Sequence, residues 1–203
     1  DVQAVSSAAG VRAVMPTWYE DVTSRINSED VVLRVHALPE QGAEDTGAAS
    51  MNRPALVSGR WPQSAQECVL DQKKSLVSGG LKAGDRITVQ EPNGQSSLRQ
   101  KTFRVVGFVK SPMYLSFTLG NTNIGSGQIS RYLQPQVFSS AAYTQLFVTV
   151  KDAAGLNSFS QAYRDKVQAV CDTLTAVGKT RAPLRREEVV ADSREKLEDS
   201  RKT

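Results

Sequence analysis

The chain has 203 residues, 39% hydrophobic and 23% charged, with a formal net charge of +4. That composition excludes a disordered polymer and allows a sizeable buried core, while no apolar run approaches the roughly 18–20 residues that cross a bilayer. The excess of base is interleaved with acid along the chain and is not accompanied by stacking aromatics, so nucleic-acid binding is not expected.

Asp1 to Ala9 reads as the tail of a helix stopped by Gly10. A β-rich stretch follows through Val11, Val14, Trp18 and Val22 to Ile26. Asn27 to Asp30 form a turn, and Val31, Leu33, Val35 and Ala37 then alternate with Val32, Arg34, His36 and Leu38, which predicts a hairpin. Residues 39–54, rich in Gly, Ala, Glu and Asp, read as a loop.

LVSGRWPQSAQECVLDQ opens a second stretch, in which Gly59 and Pro62 bracket a turn before a strand from Glu67 to Leu70. A short helix is predicted over 72–77, ended by Gly79-Gly80. A turn at Gly84-Asp85 precedes a strand with Ile87 and Val89 on one face. Asn93-Gly94, tolerant of positive φ, is the strongest hairpin signal. In the strand 103–109, Phe103, Val105 and Val109 are expected on one face, Val106 and Phe108 on the other, both buried.

Residues 115–140 carry little regular pattern. LFVTVKD at 146–152 is a strand, and an amphipathic helix is predicted from Ser158 to about Val177, its stripe being Phe159, Tyr163, Val167, Val170, Cys171 and Leu174. Cys171 is thereby expected in the core, and Cys68 lies in a strand. Two isolated cysteines favour separate thiols, with a disulfide left open outside a reducing compartment. From Arg185 on, Asp192–Lys196 and Glu198–Lys202 are favourable pairs one helical turn apart, and Val190 and Leu197 keep a heptad spacing, either a coiled-coil arm or a solvated tail. A chain that starts at Asp1 and stops inside this helix reads as a piece of a longer protein.

No assembled chemistry stands out. His36, the only histidine, has no neighbouring ligand or carboxylate pattern and reads as an ordinary strand residue. GSGQIS at 125–130 lacks the Lys-Ser/Thr ending of a phosphate loop and does not join a core strand to a helix. There is no GxSxG elbow, no metal-ligand spacing, and nothing to bring Glu67, Asp71 and Asp85 together at a glycosidase separation. Neither catalysis nor a cofactor is expected.

GVRAVMPTW (10–18), VVLRVHALPE (31–40), LVSGRWPQSAQECVLD (56–71), LKAGDRITV (81–89), FRVVGFVKSPMYLS (103–116), IGSGQIS (124–130) and YTQLFVTVKDA (143–153) follow in that order. Together they resemble the extracytoplasmic, MacB-like periplasmic core domain of FtsX/MacB-type ABC transporter permeases, particularly the Gram-positive branch with a coiled-coil insertion. The resemblance implies an α+β, two-lobed fold. A porter-like α/β lobe would be built from both chain ends, 1–55 and 141–184, with a small β-rich α/β lobe inserted at 56–140. Residues 185–203 would begin a charged helical insertion.

It further implies a noncatalytic domain on the extracytoplasmic side of the cell membrane, standing between transmembrane helices on a Gram-positive surface. Its partners would be the permease's transmembrane segments, a cytoplasmic ATP-binding subunit, an envelope protein or exported substrate, and a homo- or pseudo-dimeric mate. A free secreted binding module or adhesin is the alternative, and an envelope hydrolase a weaker one. The residues singled out for partner contact are Arg60, Trp61, Tyr114, Phe117 and Arg131, because exposed aromatics and arginines contribute disproportionately to binding. The polar, Gly-rich segment after SPMY reads either as a surface loop for contact or motion, or as an irregular connection.

Overall fold

The computed structural model describes residues 1–26, 28–39, 51–72, 80–90, 96–113, 124 and 128–202. All but Gln72 of the expected helix over 72–77, the Asn93-Gly94 turn and the Gly125–Gly127 stretch lie outside the described residues. The fold is mixed α+β, with two sheets and one long C-terminal helix, and its elements divide between two compact units.

The first unit holds Asp1–Val14 and Val148–Thr203. A short helix α1 (Val2–Ser6) ends before Gly10, whose φ of +80° carries the chain into β1 (Val11–Thr17). β1 pairs with β9 (Gln145–Val150) in a two-stranded sheet, and Lys151 N–H donates to Gly10 C=O at 2.8 Å. Helix α2 runs without interruption from Gln161 to Lys202. Ser160 caps it, its Oγ accepting the Tyr163 N–H at 3.2 Å. Tyr163, Val167, Val170, Leu174 and Val177 are partly or fully buried at helical spacing, as the stripe predicts.

Two members of that stripe depart from expectation. Phe159 precedes the helix and is 86% exposed, and Cys171 faces solvent, one position round from buried Val170. The inward side of α2 runs through Val170 and Leu174, and the residues on either side of Val170 in sequence, Ala169 and Cys171, both fall on the exposed side.

The second unit, Met15–Phe147, is built on one sheet. Its strands are β2 (Tyr19–Ile26), β3 (Glu29–Ala37), β4 (Ala55–Gly59), β5 (Glu67–Asp71), β6 (Arg86–Gln90), β7 (Thr102–Lys110) and β8 (Gln128–Leu133). The order is β4-β7-β5-β8-β3-β2-β6, and β6 also pairs with β7, so six of the strands close on themselves and β4 is left on the outside of β7. One edge of β7 serves β5, and the other is shared by β6 at its start and β4 at its end.

The closed sheet encloses the main core: Val22, Val31, Leu33, Val35, Leu70, Ile87, Phe103 and Leu133 among others, each at most 7% exposed. The predicted hairpin is present, β2 and β3 pairing antiparallel from Tyr19↔His36 to Ile26↔Glu29 across Ser28 at φ +68°.

Two features of this unit differ from the sequence expectation. β8 lies in the stretch expected to be irregular, yet it is an interior strand, parallel to β3 and antiparallel to β5. And the alternation of β7 changes phase midway. Against β5 the register jumps, Cys68 facing Val105 and Val69 facing Gly107. Phe103 and Val105 therefore point into the main core, where Phe108 joins them, while Val106 and Val109 share a second cluster on the other face with Leu38, Val69, Tyr132, Trp61 and Met113. An extra residue in a strand turns every later side chain to the opposite face.

Candidate functional site

The loop from Arg60 to Glu67 joins β4 to β5 and is tied down by one carboxylate. Arg60 Nη1 and Nη2 donate to the two oxygens of Glu67, the first at 2.8 Å, and Gln63 N–H donates to the same carboxylate at 2.9 Å. This guanidinium fork, with the Gln63 amide and the fields of Arg60 and Arg104, holds the Glu67 carboxyl down at about 2. Pro62 C=O accepts from Gln134 Nε2 at 2.8 Å, and Trp61 packs its ring on the second cluster.

Glycines make the close approach possible. Gly59 pairs with Gly107, and a Cβ on Gly59 would stand 2.3 Å from Val106 C=O. One on Gly107 would stand 2.6 Å from Arg60 C=O.

Of the residues singled out for contact, Arg60 and Trp61 are thus brought together, each with a partner in the fold. Tyr114 and Phe117 lie outside the described residues. Arg131 sits in β8 at the register position of Val35 and Leu70.

On the outer face of β2, β3 and β8 the structure gathers groups that sequence reading treated singly. Arg34 grips Asp21 through Nε and Nη2, both at 2.7 Å, and its guanidinium lies 5.1 Å from the Tyr19 ring centroid. His36 is buried and stacks on Tyr132 at 5.3 Å between centroids. Burial pushes its pKa down to about 4, the Arg34 charge adds to that, and Asp21 opposes it. The signal available in the sequence was the i, i+2 spacing of Arg34 and His36 on one strand face. What buries them depends on neighbours distant in the chain.

A third feature is the exposed side of α2. Ala182, Pro183, Val190 and Ala191 form an apolar seam bordered by Arg186 and Arg194, and Leu184, Val189 and Val190 are each more than 40% exposed. The side chains of Asp192, Lys196, Leu197 and Lys202 lie outside the described ones, and with them the expected pairs. Cys68 is buried in β5, Cys171 is exposed, and no disulfide joins them. Among the described residues there is no cluster of three His, Cys, Asp or Glu fit to hold a metal, and no helix is long and apolar enough to cross a membrane.

No protein-family model matches the chain, and no curated protein matches it significantly. Among solved structures it is similar to the extracellular domain of the noncanonical ABC-type transporter YknZ from Gram-positive bacteria. That match has 12% identity over 89% of this chain and 82% of the other, with a TM-score of 0.48. It is also similar to the periplasmic region of MacB from Actinobacillus actinomycetemcomitans, with 14% identity over 87% and 72% and a TM-score of 0.42.

Proposed function

We propose that this chain is an extracytoplasmic domain of an ABC-type permease, noncatalytic in itself, that relays ATPase-driven motion or engages an envelope or exported partner. The observation that carries the reading is that the seven ordered sequence segments are also the framework of the fold. Residues 10–18 hold β1, 31–40 most of β3, 56–71 all but the first residue of β4 with the forked loop and β5, and 81–89 supply the Gly84-Asp85 turn and most of β6. Residues 103–116 hold all but the first residue of β7, 124–130 enter β8, and 143–153 contain β9. In this reading the seam on α2 belongs to the first arm of a helical insertion, and the permease's membrane helices and an ATP-binding subunit on the far side of the bilayer are the working partners.

The two thiols test it in the full-length protein. On intact cells a membrane-impermeant maleimide should label exposed Cys171 and spare buried Cys68, with the protein in the membrane fraction. Labelling of Cys171 only after lysis would overturn the extracytoplasmic placement. Release of the protein into the medium would favour a free secreted module instead. For the relay, the Cys171 labelling rate in the reconstituted complex should change when the ATP-binding subunit is trapped with nucleotide and vanadate. An unchanged rate would leave partner engagement as the function.

A further inference from the structure

The outward face of β5, β7 and β6 carries a row of charge that the described residues neutralise only in part. Register sets Glu67, Arg104 and Arg86 side by side on the three strands, Glu67↔Arg104 and Arg104↔Arg86. They point outward because their neighbours Ile87 and Phe103, paired one position along, fill the main core. Two arginines directly opposite one another on an antiparallel pair repel, which disfavours the pairing they sit on.

The nearby acids relieve it only through space: the field of Arg104 reaches Glu67, but among the described residues no acid contacts either arginine directly. Glu67 gives both carboxylate oxygens to Arg60, and Asp85 turns its Oδ2 to the Lys82 N–H at 2.8 Å. Arg86 and Arg104 are both exposed, and neither makes an ion pair among the described residues. The next outward pair is Thr88 and Thr102, whose hydroxyls lie 3.0 Å apart. Two forked guanidinium groups beside two hydroxyls match the several acceptor oxygens of a phosphate, which arginine pairs bind in a bidentate manner.

We propose that Arg86 and Arg104, with Thr88 and Thr102 beside them, form a binding site for a phosphate group. The site rests on the geometry of the second unit and does not depend on the permease reading. The phosphate can come from a soluble polyanion or from a lipid headgroup, and the chemistry is shared.

The test uses the whole chain with two probes, inorganic polyphosphate followed by fluorescence anisotropy and phosphatidylglycerol vesicles followed by co-sedimentation. Binding to at least one probe is expected, weakening with added salt. Arg86→Glu and Arg104→Gln should each weaken it by about tenfold or more, the scale of losing a charged hydrogen-bonding partner. Arg86→Glu should do so with its Tm unchanged or raised, because it turns a repulsive cross-strand pair into an attractive one. Arg194→Glu, which changes the net charge equally on the exposed face of α2, should leave binding as it was.

Polyphosphate binding alone points to a soluble or polymeric phosphate, and vesicle binding alone to a headgroup. Either supports the site. Failure to bind both probes would overturn it, as would an equal loss in Arg194→Glu or a fall in Tm in both site variants, which would make the pair structural.

Discussion

At the scale of single residues, the fold depends on a few positions where chemistry and backbone demand coincide. Gly10 has both a positive φ and no room: a Cβ there would meet Val170 Cγ2 at 2.6 Å. Gly10→Ala should destabilise the first unit by about 1–3 kcal/mol, since backbone strain and overpacking are each of that order. Val170→Ala in the same chain should recover only the steric part, measurable as a partial return of the denaturant midpoint. His36 makes the opposite kind of demand, on protonation. Its folded pKa of about 4 lies below the ordinary 6.5, so the native state prefers it neutral. The unfolded chain takes up the proton first as pH falls. Stability contributed by neutral His36 is therefore complete above about pH 6.5 and is lost between there and pH 4, a change of about 3 kcal/mol by linkage. Unfolding of His36→Phe should be flatter across that window than that of the parent chain. Equal slopes would show that the imidazole does not govern the acid limb.

At the scale of elements, the sequence was most legible where period and turn chemistry agreed. The β2–β3 hairpin followed from clean alternation around a polar turn, and the inward stripe of α2 from helical spacing. It was least legible where a strand departs from its period. The phase change in β7 is absent from its own alternation, because an extra residue is defined only against the partner strand β5. β8 was missed for a related reason: Gln128 to Leu133 mixes polar and apolar residues without a two-residue period, and its strand character comes from lying between β3 and β5. Two consequences can be measured. Glu67→Gln removes the fork that closes the β4–β5 loop, so amide exchange at Gln63 should accelerate while the Tm barely moves, as expected of a partly exposed pair. In α2, Pro183 has no N–H to give to the Lys179 carbonyl one turn earlier. Pro183→Ala should raise far-ultraviolet helicity and stabilise the helix by up to about 3 kcal/mol.

At the scale of the whole molecule, the central fact is closure. Pairing of β6 with both β2 and β7 removes the free edges that a six-stranded sheet would otherwise expose, and it encloses the main core. The same closure isolates Cys68, while Cys171 stands on the surface of α2. Thiol titration of the native chain should count one fast-reacting cysteine, with the second appearing only in denaturant. Two fast thiols would mean that the sheet opens readily.

Sequence by itself determined the class of protein and most of its local elements, because composition, periodicity and turn residues act over a few residues and are written directly in the chain. It also carried the seven ordered segments on which the functional reading rests. It located Arg60, Trp61 and Glu67 near one turn without showing that a guanidinium fork joins the first to the last. Tertiary structure alone decided which strands are neighbours, where the alternation of β7 changes phase, and that His36 is buried against Tyr132. It alone set Arg86 opposite Arg104. Each of these depends on the register between segments far apart in the chain, and register is fixed by the packing of a common core rather than by any one segment's own pattern.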